Sequence, residues 1–282
     1  MLLRMRLFLR RKWMIHKGNA LDVLPTLEKK SVQTIVTSPP YWGLRNYNND
    51  EQLGQEDSPE QFVGKLVSIF DCARNILKDN GTLWVNIADT FFGAKGGHWD
   101  GGNSITNSHT GSEYRMGRKA PPKHPYLKTG DLCGVPWNFA IAMQKDGWYL
   151  KNDIIWHKPN PIPEAVNDRC AKSHEHIFLL TKKPKYKFNA KAIAEPTRRR
   201  TDVWTINTAS FSGAHFAVFP QDIPKMCIGA GTDKGDVVLD PFMGSGTTAY
   251  VAQRLGRKWI GVELNPEYAK IIKNRVAQRE LF

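Results

Sequence analysis

Apolar and polar positions along this chain fall into short runs that switch between a two-residue and a 3.6-residue period. Val32-Gln33-Thr34-Ile35-Val36-Thr37 is rich in β-branched residues and, with Ser31, reads as a buried strand over 31–37. Residues 14–16, 82–87, 235–239 and 259–263 read as further strands. Helical spacing runs over 20–27, 60–77, 134–145, 223–229, 249–255 and 265–279. Asn80-Gly81 is expected to stop the second of these helices. Residues 148–156 and 177–181 read as a hairpin pair joined by a Pro-rich crossing over 158–164. Strands that alternate with helices predict an α/β fold. No internal repeat appears, and no boundary splits the chain in two.

Composition narrows the class. The 282 residues suffice for one large domain with a sizeable core. A net charge of +13 favours a polyanionic partner over an acidic or neutral one, although a generic basic protein has the same balance. Cys72, Cys133, Cys170 and Cys227 have no short pairing, which argues against a zinc site or a disulfide framework. His174-Glu175-His176 lies in an alternating stretch over 173–181, so it reads as strand, with structural or surface histidines and no metal. No run approaches the ~18 apolar residues of a membrane span, so no membrane partner and a cytoplasmic location are expected. Residues 1–13 are a basic extension: Arg4, Arg6, Arg10, Arg11 and Lys12 interrupt its apolar residues, unlike a signal peptide. The domain is expected over 14–282. Residues 92–130, rich in Gly, Ser, Asn and His, read as a loop insertion, either a DNA-contacting lid or a disordered segment. Basic residues over 182–188 and Arg198-Arg199-Arg200 read either as phosphate grips or as a solvated face.

Two motifs carry chemistry. Ser38-Pro39-Pro40-Tyr41 follows the 31–37 strand, at the end where open α/β sheets place ligands. The prolines remove two donors and stiffen the turn. Ser38 Oγ and a free Pro39 carbonyl form two adjacent acceptors, and Tyr41 adds a flat ring. That set suits a heterocycle bearing an exocyclic amine, though a rigid surface turn has the same sequence.

The second motif is Asp240-Pro241-Phe242-Met243-Gly244-Ser245-Gly246-Thr247-Thr248, set between a strand and a helix. Glycines there let backbone approach a ligand. Glu263 ends the next strand about 20 residues after the first glycine, the spacing at which an acid reaches ribose hydroxyls. Gly244-x-Gly246-x-x-Ala249 also fits a dinucleotide fingerprint, so an NAD-dependent dehydrogenase is a remote alternative. It would need a second nucleotide-binding half, and the chain ends about 20 residues after Glu263.

Ser38-Pro39-Pro40-Tyr41 resembles the catalytic tetrapeptide of amino-group DNA methyltransferases, which reads Asp/Asn/Ser-Pro-Pro-Tyr/Phe/Trp. The Asp240–Thr248 string resembles the S-adenosylmethionine loop of the same family. The order of the two is that of the β-class, a circular permutation, and the likeness runs from Met14 onward. It implies a Rossmann-like class I methyltransferase fold with a seven-stranded, mostly parallel sheet. It implies S-adenosylmethionine as cofactor, bound by Asn19, Ala20, Phe216, Pro220, Asp240, Phe242, Gly244, Ser245, Gly246, Thr247, Thr248 and Glu263. The family often has Asp where this chain has Asn19. Ser38, Pro39, Pro40 and Tyr41 are the implied catalytic residues, and a short target-recognition region is expected over about 182–213. The implied activity is methylation of a flipped base in double-stranded DNA, at cytosine N4 because the tetrapeptide opens with Ser, with adenine N6 as the alternative. The resemblance also admits a cognate restriction endonuclease as partner and leaves the oligomeric state open.

Overall fold

A computed structural model describes residues 13–44, 49, 51–93, 123–161, 168–209 and 220–277. The strands are β1 (Trp13–Lys17), β2 (Val32–Thr37), β3 (Leu77–Ile87), β4 (Tyr149–His157), β5 (His174–Thr181), β6 (Val203–Thr205), β7 (Val237–Asp240) and β8 (Lys258–Glu263). The helices are α1 (Ala20–Val23), α2 (Pro59–Ile76), α3 (Val135–Lys145), α4 (Asp222–Gly231), α5 (Thr247–Arg254) and α6 (Pro266–Ala277).

The strands form one sheet in the order β1-β8-β7-β2-β3-β5-β4-β6. Only β5 runs against its neighbours β3 and β4; every other pairing is parallel. The sheet thus has eight strands among the described residues, where seven are expected. The extra one is the three-residue edge strand β6, anchored by Trp204, whose ring is buried. Strands buried on both faces carry continuous apolar runs. In β2, Ile35 enters the core layer under α1, α2 and α3, and Val36 enters the layer under α4, α5 and α6. In β7, Leu239 and Val238 divide in the same way.

The expected stop at Asn80-Gly81 is not where α2 ends. α2 ends at Ile76, the Leu77 N–H closes on Ala73 O, and β3 begins at once. Leu77 already pairs with Val32, and Asn80-Gly81 lies inside the strand. Gly81 is there for room: a Cβ would sit 2.9 Å from Gln33 O and 2.7 Å from the Leu77 side chain. Pro25 similarly tightens the end of the 20–27 segment, which is one α-turn followed by a 3₁₀ turn over Leu24–Thr26. Most of the 92–130 segment and nearly all of the 1–13 extension lie outside the described residues, although β1 begins at Trp13, a residue before the expected domain start.

Candidate active site

β2 and β7 are adjacent and parallel, with Thr34 opposite Val238 and Ile35 opposite Leu239. Their carboxyl ends therefore open at the same edge of the sheet. One end releases Ser38-Pro39-Pro40-Tyr41 and the other releases the glycine loop. Thr37 Oγ1 donates to Asp240 Oδ1 at 2.6 Å, locking the last residues of the two strands together. Two motifs about 200 residues apart in sequence thus leave the sheet side by side at one edge.

Pro39 is buried, while Ser38, Pro40 and Tyr41 are half-buried. The turn is braced from behind. Trp42 Nε1 donates to Glu56 O at 3.0 Å, and the Gly43 N–H donates to Gly54 O at 2.8 Å. Gly54 has φ +92°, and a Cβ there would lie 2.7 Å from Tyr41 O. Only glycine fits beside the tetrapeptide at this point.

The glycine loop is held by buried acids. Asp240 is 1% exposed; its Oδ1 accepts from Thr37 and from the Phe242 N–H. Burial raises its pKa to about 6, against the pull of those donors. Glu263 closes β8, its Oε2 accepting from the Gly244 N–H at 2.7 Å and its Oε1 from the Asn265 N–H at 2.8 Å. Burial again dominates and lifts its pKa to about 7. Gly244 at φ +51° and Gly246 at φ +83° adopt left-handed backbone. The nearest atom to a Cβ position at Gly244 is Phe242 O at 3.9 Å, which leaves room beside the backbone there for a ligand. β1 pairs with β8, and the Gly18 N–H donates to Glu263 O at 3.0 Å, which brings Asn19 and Ala20 to the same place. Asn19 caps α1 with its own side chain, and Ala20 is buried. The hydroxyls of Ser245, Thr247 and Thr248 turn inward. Arg275 Nη1 donates to Ser245 Oγ and Thr247 Oγ1, both at 3.1 Å, and Thr248 Oγ1 donates to Val36 O at 3.4 Å. Pro220 is buried at the start of α4; Phe216 lies outside the described residues.

The residue that the sequence reading missed is Glu175. Because β5 is reversed, its first residues lie at the edge where β2, β3 and β4 end. Glu175, 7% exposed, accepts from Tyr41 Oη at 2.5 Å, from Asn86 Nδ2 at 2.8 Å and from Lys158 Nζ at 2.5 Å. Asn86 gives its amide hydrogens to Glu175 and to His176 O, and its Oδ1 has no donor among the described residues. One signal was present: alternation puts Glu175 on the same face as Ile177 and Leu179, and a carboxylate in an apolar row needs partners. The same reversal carries Lys182 to the opposite edge. Lys182 pairs with Asp79, and Lys187 with Asp233 and Asp236, so both charges are met within the fold.

Residues 32–274 match the N6/N4 methyltransferase family described as DNA methylase. The chain belongs to this family. The methylase is 47% identical over 267 residues to the type II methyltransferase M.Cfr9I of Citrobacter freundii, spanning 93% of this chain and 87% of that protein. It is 45% identical over 269 residues to M.SmaI of Serratia marcescens, spanning 93% and 90%. Among solved structures it resembles PvuII DNA methyltransferase (cytosine-N4-specific), with a TM-score of 0.69, 22% identity and coverage of 93% and 85%. It also resembles TTHA0409, a putative DNA modification methylase from Thermus thermophilus complexed with S-adenosyl-L-methionine, with a TM-score of 0.65, 24% identity and 96% coverage of both chains. These two likenesses establish the fold as that of the class I methyltransferases. The methylase is a DNA methyltransferase of the N6/N4 class, which removes the dehydrogenase alternative. No helix among its described residues is long and apolar enough to cross a membrane.

Proposed function

We propose that this chain transfers a methyl group from S-adenosylmethionine to the exocyclic N4 of cytosine in double-stranded DNA. The observation that carries this reading is the Thr37–Asp240 bond between paired strands, which sets the tetrapeptide and the glycine loop at one edge. Ser at position 38, and the shared fold with PvuII methyltransferase, whose name specifies cytosine N4, favour cytosine over adenine.

The amino nitrogen of a nucleobase is a poor nucleophile because its lone pair is delocalised into the ring. Ser38 Oγ and the Pro39 carbonyl accept its two hydrogens and draw the nitrogen toward a tetrahedral shape. Tyr41 stacks on the base. The Gly244-Ser245-Gly246 backbone and the Glu263 carboxylate would hold the nucleoside part of the cofactor, with Asn19, Ala20 and Pro220 around it. S-adenosylmethionine, when bound, supplies a sulfonium-activated methyl group, so the chain's own work is alignment. Such positioning lowers a barrier by roughly 7–11 kcal/mol in favourable cases. Flipping the base from the duplex costs a few kcal/mol, which phosphate contacts from a basic surface offset.

The test is nucleoside mass spectrometry of DNA methylated by the purified protein. N4-methylcytosine is expected; N6-methyladenine without it overturns the base assignment. Ser38→Ala should bind DNA and S-adenosylhomocysteine but transfer methyl at least 100-fold more slowly, as loss of a preorganised polar contact to the reacting group commonly costs ~10²–10³. An active Ser38→Ala enzyme would remove Ser38 from the mechanism.

A further inference from the structure

Strand parity puts four polar residues on one face at the catalytic edge. Ser38, Asn86, Lys158 and Glu175 stand two residues from Val36, Trp84, Trp156 and Ile177, all members of one core layer. Ser38 Oγ donates to Tyr41 Oη at 3.4 Å, and Tyr41 Oη donates to Glu175 Oε2 at 2.5 Å.

The order of protons in this chain follows from what each group can do. A carboxylate only accepts, so the Tyr41 proton is committed to Glu175. The Tyr41 oxygen keeps its lone pairs and accepts the Ser38 proton. That turns the Ser38 O–H away from the amine and leaves its lone pairs as acceptors. Hydrogen bonds in series polarise one another, most strongly when the last acceptor is charged. Lys158 and Asn86 hold the carboxylate in place from its other sides.

We propose that Glu175 is a positioning residue which, through the Tyr41 hydroxyl, fixes Ser38 as a hydrogen-bond acceptor for the target amine. The inference rests on the role of Ser38 given above. It assigns the Tyr41 hydroxyl a task separate from stacking, since a phenylalanine ring stacks equally well.

Tyr41→Phe, Glu175→Gln and the double variant separate these tasks. Each single variant should lower the single-turnover methylation rate about tenfold, the loss of one charge-assisted bond. Affinity for S-adenosylhomocysteine, the KM for DNA and the Tm should stay near wild type, which a merely structural role would not allow. The double variant should be no slower than the slower single, because both substitutions cut the same chain. Wild-type rates in Tyr41→Phe, or losses that multiply in the double variant, would overturn the proposal. If Glu175→Gln fails to fold because Lys158 loses its partner, Tyr41→Phe alone decides. Ser38→Ala distinguishes the two levels: if it is inactive while Tyr41→Phe is fully active, only the chain falls. If Ser38→Ala is active, the reading of Ser38 falls with it.

Discussion

Glu263 is a buried acid at the mouth of the glycine loop, and its burial makes it sensitive to pH near neutrality. Its pKa in the folded protein is about 7, above the ordinary 4.5. The folded state therefore holds this proton more tightly than the unfolded chain. The resulting stability is fully present below about pH 4.5 and is lost as pH rises through about 7. Asp240, at about 6, acts in the same direction. Ligand hydroxyls that donate to Glu263 prefer the ionised form, so their binding should expel a proton. Affinity for S-adenosylhomocysteine should thus rise between about pH 6 and about pH 8. Titration calorimetry in buffers of different ionisation heat should find proton release near neutral pH, absent in Glu263→Gln. A flat affinity across that window would take Glu263 out of ligand binding. The position of Glu263 was legible from its spacing after Gly244. Its raised pKa was not, because burial depends on β1 and the loop closing around it.

At the scale of elements, the run of strands and helices was largely readable, because buried parallel strands carry unbroken apolar stretches and amphipathic helices carry a 3.6-residue stripe. The start of β3 was not. Asn-Gly signals a turn in isolation, but here pairing with β2 keeps the segment extended and Gly81 serves close approach. The start of α3 is also set by a distant residue. Gly134 provides no side-chain cap, and Asp89, just past β3, takes over. Its Oδ2 accepts from the Gly134 N–H at 3.0 Å and its Oδ1 from the Val135 N–H at 3.0 Å. Asp89→Ala should cost about 0.5–2 kcal/mol, as loss of a helix cap does, lowering Tm by roughly 2–4 °C per kcal/mol for a domain of this size. Differential scanning calorimetry checks this, and an unchanged Tm would show that water replaces the cap at no cost.

At the scale of the molecule, the last helix reaches back to the site. Arg275 of α6 is 8% exposed and donates to Ser245 O, Ser245 Oγ and Thr247 Oγ1. It fixes the loop's hydroxyls from behind, and Ile272 of the same helix lies 3.0 Å from a Cβ position at Gly246. Arg275→Met should weaken S-adenosylhomocysteine binding roughly 5–30-fold, the equivalent of one to two kcal/mol. Fluorescence titration of a folded variant measures it, and wild-type affinity would confine Arg275 to stability. The sequence by itself determined the two chemical motifs, the strand-turn context of each and the order that identifies the permuted family, because local period and turn chemistry are properties of neighbouring residues. The expected hairpin pair of β4 and β5 is antiparallel as read, but tertiary structure alone decided that β5 also pairs with β3, that Glu175 meets Tyr41 and that Arg275 grips the glycine loop. Those contacts join residues 28 to 134 positions apart, and no local pattern encodes which distant strands and loops a hairpin meets.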